Sequence, residues 1–67
     1  MQPHEQRVID EKSDLDGKIE RLAAFTHGPV FADLPAEDKM LLTKQHSAMT
    51  IYSHILGQRI ARFAGAA

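Results

Sequence analysis

Four histidines, His4, His27, His46 and His54, are the residues best suited to hold a transition metal, and no cysteine accompanies them. His46 and His54 lie eight positions apart. On a helix that spacing shares a face but leaves two turns between the rings, too far for one ion without a third ligand. No metal and no cofactor is therefore expected. Ser13, Ser47 and Ser53 lack the glycine elbow that exposes a nucleophilic hydroxyl. The four glycines are scattered, so no loop could cradle a phosphate; Gly28 reads as a helix stop. No catalytic constellation stands out, and the chain reads as non-enzymatic. Tyr52, the single tyrosine, is suited either to a core or to stacking on another flat ring. Arg7, Arg21 and Arg62 read as solvated surface. Lys18 and Arg59 are different, for a reason that lies in the elements carrying them.

Those elements are two helices. Pro3 suits a first helical turn, where its missing N–H costs nothing. No proline follows until Pro29, and Gly17 is the one weak point, at up to about 1 kcal/mol against alanine. Gly28-Pro29 should end this helix, glycine by a left-handed cap and proline by breaking the ladder. Val30-Phe31-Ala32-Asp33 is expected as a connector whose two apolar residues plug the open end. A second start follows at Asp33-Leu34-Pro35-Ala36-Glu37-Asp38, with acids at the positive helix end. The spacing predicts helix one over about 3–26, a connector over 27–34, and helix two over about 35–64, with Gly65-Ala66-Ala67 as a tail. So short a connector forces the helices antiparallel. Residues 1–67 thus read as a single all-α domain, an antiparallel two-helix hairpin with coiled-coil-like seams.

Steps of four and three along helix one select His4, Val8, Glu11, Leu15, Lys18, Leu22 and Phe25. In helix two they select Leu42, Gln45, Met49, Tyr52, Leu56, Arg59 and Phe63. Each is a sustained 3.5-residue period, the signature of helices packed at a shallow angle. Ile19, Leu41, Ala48, Ile55 and Ile60 widen the apolar faces. Every second seam position is polar, and a buried polar group without a partner costs ~1–3 kcal/mol. Three readings follow. The polar groups pair with each other, as Glu11 with Arg59 would across the hairpin. They fix oligomer register. Or they line a ligand site between subunits. Lys18 and Arg59 are the cations on these seams, separated by roughly 15 Å along the axis at ~1.5 Å per residue. One small ligand could not easily touch both within a protomer.

At 67 residues without cysteine, such a chain buries too little surface to be secure alone, and disulfides cannot help. A symmetric homo-oligomer is the expected remedy. The charged N-terminus resembles no secretion signal, and no apolar run approaches the roughly 20 residues that span a bilayer. A soluble, cytoplasmic protein with no membrane partner is expected. The net charge of −1 hides an asymmetry. Residues 1–38 carry all nine acids and four bases, while residues 39–67 carry four bases and no acid. The basic half could attract an anion or lie beside the acidic helix. The small overall charge argues against polymeric nucleic acid.

Taken together, Arg7-Val8-Ile9-Asp10-Glu11-Lys12, Leu15, Lys18-Ile19, Leu22, Phe25, Phe31, Leu34, Leu41-Leu42, Gln45, Met49, Tyr52, Leu56 and Arg59-Ile60 resemble a small phage family. It is the helical-hairpin domain of the anti-CBASS nucleotide sponges of the second type described, a domain also noted in a Thoeris-inhibiting sponge. The resemblance runs from about Gln6 to Phe63. It implies a hexamer of short hairpins in the host cytoplasm. It also implies binding of cyclic di- and trinucleotide immune messengers without cleavage, so that antiphage signalling is starved. Cyclic dinucleotides would sit between protomers, against a flat residue near the start of helix one and a lysine about two heptads on. Those places fall near His4 and at Lys18. An arginine late in helix two would serve a separate trinucleotide site near the threefold axis, and Arg59 matches it. The sequence departs from the pattern at Pro3-His4, where it has no tyrosine. His4 and Arg7 would be supporting contacts and Tyr52 a stacking ring. The alternative is a structural or regulatory helical oligomer that binds protein or DNA.

Overall fold

A computed structural model describes residues 2–65. Ala66 and Ala67 of the expected tail lie outside them. The described chain is all-helical: α1 spans Pro3–Thr26, α2 is the single turn Pro29–Ala32, and α3 spans Ala36–Gly65.

Each helix boundary has a local cause. Pro3 occupies the first turn of α1, and the Gln2 N–H donates to Glu5 Oε1 at 2.8 Å, satisfying a group the helix leaves unpaired. α1 ends at His27, whose backbone is right-handed, φ −94° and ψ −1°. Gly28 is extended, φ −95° and ψ 170°. The expected left-handed glycine cap is therefore not used, and Pro29 alone prevents continuation. The connector is also more ordered than expected. Pro29 starts α2, and the Asp33 N–H donates to the Pro29 carbonyl at 3.2 Å. Phe31 packs edge-on against Phe25, with ring centroids 6.3 Å apart, and the Lys39 ammonium lies 6.0 Å from the Phe31 ring. Val30 does not plug the end: it is 60% exposed. α3 starts after Pro35, whose carbonyl accepts the Lys39 N–H at 3.1 Å.

α1 and α3 pack as an antiparallel hairpin. Val8, Leu15 and Leu56 form the buried centre, and Ile19, Met49, Ile60 and Phe63 pack around it. The buried stripes differ from the expected seams by one residue at every second step. On α1 the inward positions are Val8, Lys12, Leu15, Ile19, Leu22 and Thr26, whereas Glu11 and Lys18 are exposed. On α3 they are Leu42, His46, Met49, Ser53, Leu56, Ile60 and Phe63, whereas Gln45, Tyr52 and Arg59 are exposed. These exposed polar groups do not pair with one another across the hairpin, and Gln45 Nε2 donates to Met49 Sδ on its own helix at 3.9 Å. Among the described residues the ion pair within the hairpin joins Lys12 to Asp16 at 2.7 Å, not Glu11 to Arg59.

The polar link between the helices lies at the edge of the core, at Lys12–Asp16–Ser53, where Asp16 stays substantially exposed. The buried Ser53 hydroxyl donates to Asp16 Oδ1, and Lys12 Nζ donates to Asp16 Oδ2 at 2.7 Å. Gly57 admits the Lys12 stem here, since a Cβ at Gly57 would stand 3.3 Å from Lys12 Cε. The hydrogen bond from Lys12, then that from Ser53, holds the Asp16 carboxyl below its ordinary value of 3.8. The stabilisation is thus fully present above pH 3.8 and is lost as pH falls through the lowered folded value. Asp16→Asn should unfold at lower denaturant than wild type at pH 7, and the gap should shrink as acid protonates the wild-type carboxyl. A gap that stays constant from pH 7 to pH 2 would show that the ionised carboxylate is not what matters.

Candidate functional site

A shallow groove of about 430 Å³ runs along α1 where it meets the outer side of α3. Arg7, Asp10, Glu11, Asp14, Leu15 and Lys18 line it from α1, and Tyr52 lines it from α3. Helical spacing explains the α1 side: Arg7, Glu11, Asp14 and Lys18 fall at steps of four, three and four, one face of one helix. Tyr52 reaches the same groove because it sits one residue before the inward Ser53, so its ring projects beside the core rather than into it. The ring is 43% exposed. In the register that faces Asp16 with Ser53, Tyr52 stands level with Lys18, and Arg7 lies ~16 Å further along the axis; a half-bare aromatic beside one cation is a surface on which a flat, anionic ligand could lie.

The groove is not a finished anion site. Its two cations, Arg7 and Lys18, face three carboxylates, Asp10, Glu11 and Asp14. A phosphate diester entering a single protomer would meet more negative than positive charge. The cations of α3 lie outside this groove; Lys44, Arg59 and Arg62 are exposed and Lys39 is half-buried. Sequence reasoning passed over these acids as site residues, although their period along α1 matches that of Arg7 and Lys18.

Of the five residues singled out from the sequence, Arg7, Lys18 and Tyr52 share this groove. His4 and Arg59 do not. His4 is exposed near the start of α1, its ring edge-on to Phe63 with centroids 6.4 Å apart. Arg59 is exposed on α3. Asp16 faces Ser53 and Lys12 faces Gly57. In that register Arg59 lies about 12 Å along the axis from Lys18, at ~1.5 Å per residue. Two further grooves, of about 460 and 510 Å³, flank Lys12 and contain none of the five. No cluster of three metal-ligating side chains occurs among the described residues. No helix among them is long and apolar enough to cross a membrane.

The Sequestin family model matches residues 2–62, nearly the whole described chain, and the protein belongs to that family. The family's name denotes sequestration, in keeping with the sponge resemblance carried by the sequence. No curated protein and no solved structure matches the chain.

Proposed function

We propose that the protein is a non-enzymatic phage sponge that binds and sequesters cyclic di- or trinucleotide immune messengers in the host cytoplasm, blocking CBASS-type signalling. The observation that carries this reading is the groove shared by Arg7, Lys18 and Tyr52 in a chain of the Sequestin family. A cyclic oligonucleotide presents flat bases and one negative charge per phosphate. An aromatic ring beside Lys18, with Arg7 further along the same groove, offers a partner for each feature. On this reading the ligand leaves as it entered.

The excess of carboxylates supports a site completed by a neighbouring subunit. The half of the chain from Lys39 onward contains no acid. Its presentation to the groove of a second copy would reverse the local balance of charge. The working unit is accordingly a symmetric homo-oligomer, a hexamer if it follows the resemblance. Three buried apolar side chains among the described residues are a small core for a chain of this length.

Calorimetry with a panel of cyclic di- and trinucleotides should show tight binding, and ligand extracted afterwards should be intact by chromatography. Time-dependent loss of the nucleotide would make the protein an enzyme. The second reading is a structural or regulatory oligomer, and the exposed apolar residues Leu41, Ile51 and Ile55 on α3 favour it. Binding to no member of the panel, with the oligomer intact, would select that reading.

A further inference from the structure

One face of α3 packs on α1, and the face one residue round the helix packs on nothing. The outer face is also a heptad stripe, from Asp38 to Arg62 in steps of three and four, and each of its positions is exposed. Leu41 is 55% exposed, Ile55 47%, and Ile51, beside the stripe, 62%. A helix with two adjacent apolar stripes has two partners to satisfy.

We propose that this outer stripe docks antiparallel onto the same stripe of a second copy, in the two-fold register that sets Asp38 against Arg62 of the partner subunit. This rests on the oligomer reading above and specifies one of its interfaces. The stripe is self-complementary in that register. Asp38 and Arg62 carry opposite charge and meet twice, once at each end. Leu41 meets Arg59 of the partner subunit, whose aliphatic stem can cover it while the guanidinium stays wet. Gln45 meets Ile55 of the partner subunit. At the centre the smallest stripe residue, Ala48, meets the largest, Tyr52 of the partner subunit, so large and small side chains interdigitate as close packing requires. Ile51 lies beside the two-fold axis. A parallel, in-register pairing would instead stack Tyr52 on Tyr52, Arg59 on Arg59 and Asp38 on Asp38, matching bulk with bulk and like charge with like. The contact runs ~36 Å along each helix. Because Tyr52 belongs both to this stripe and to the wall of the Arg7–Lys18 groove, the second copy covers the mouth of that groove.

The chain has no cysteine, so introduced thiols report the register without background. In the proposed pairing Gln45→Cys/Ile55→Cys should form a reductant-sensitive dimer on mild oxidation, visible on a denaturing gel. Gln45→Cys alone and Ile55→Cys alone should not. Each would stand ~15 Å along the axis from its own copy, beyond the Cα separation of about 4.4–6.8 Å that a disulfide spans. Asp38→Arg should reduce cross-linking of the double-cysteine protein, and adding Arg62→Asp should recover it. Cross-linking by either single variant, or none by the double variant while light scattering shows an oligomer, overturns this register but leaves the oligomer standing. A wild-type monomer by light scattering overturns both.

Discussion

Leu56→Ala should cost about 2–5 kcal/mol of unfolding free energy, the range for removing a buried leucine, and leave the chain largely unfolded at room temperature. Among the described residues, Leu56 is the one large side chain with no exposure. It fills the centre of the hairpin against Val8 and Leu15, and a two-helix layer has no second shell to collapse into the gap. Leu41→Ala is the control. Leu41 is just as apolar but is 55% exposed in the protomer, so its truncation should change assembly rather than the fold of the hairpin. Guanidinium unfolding followed by circular dichroism at several protein concentrations separates the two. Leu56→Ala should lower the midpoint at every concentration. Leu41→Ala should lower it most where the protein is dilute. Equal effects of both substitutions at all concentrations would mean that Leu56 is not the keystone its burial makes it.

The contrast between these leucines also explains what the sequence could reveal. Helix punctuation by Pro3, Gly28-Pro29 and Pro35 is local chemistry, and it reads directly. The heptad anchors Val8, Leu15 and Leu22, with Leu42, Met49, Leu56 and Phe63, are apolar at intervals of seven and all face inward. Between anchors, however, a step of three and a step of four are both helical. One choice takes Glu11, Lys18, Gln45, Tyr52 and Arg59; the other takes Lys12, Ile19, His46, Ser53 and Ile60. The first set is polar apart from the Tyr52 ring, whereas the second brings Ile19 and Ile60; hydrophobicity thus favours the second, and the polar Lys12, His46 and Ser53 in it obscure that signal. Position on the inward face went to the second set, in which Ser53 reaches across the hairpin to Asp16, the carboxylate that Lys12 binds from within α1. That hydrogen bond joins residues far apart in sequence, and no local pattern announces it. The displaced set is not idle. On α3, Gln45, Tyr52 and Arg59 alternate with Leu41, Ala48 and Ile55 on the outer stripe. α3 carries two adjacent seams, and the four-and-three spacing of the sequence merges them into one.

The same displacement governs the last expected result, which concerns Lys18 and Arg59. Both are exposed, so neither carries the burden of a buried charge, and replacing either should leave the hairpin folded. Lys18 lines the groove with Arg7 and Tyr52, and Arg59 lies outside it. Lys18→Ala should therefore weaken cyclic dinucleotide binding by about 1.5–3 kcal/mol, the range for a charge-assisted hydrogen bond. That is on the order of 10- to 150-fold in affinity. Arg59→Ala should have its effect on cyclic trinucleotides instead, because its planar fork suits paired phosphate oxygens at a different place. Since Glu11 and Arg59 are not paired within the hairpin, Glu11→Gln should not reproduce the Arg59→Ala loss. By removing a carboxylate from the groove it should if anything strengthen dinucleotide binding at low salt, where charges across a groove are least screened. Calorimetry of the three variants against one dinucleotide and one trinucleotide makes the comparison. If Lys18→Ala and Arg59→Ala weaken both ligands alike, there is one shared site, and the two cations must reach it from different subunits. If neither changes either affinity, the groove is not where the ligand binds.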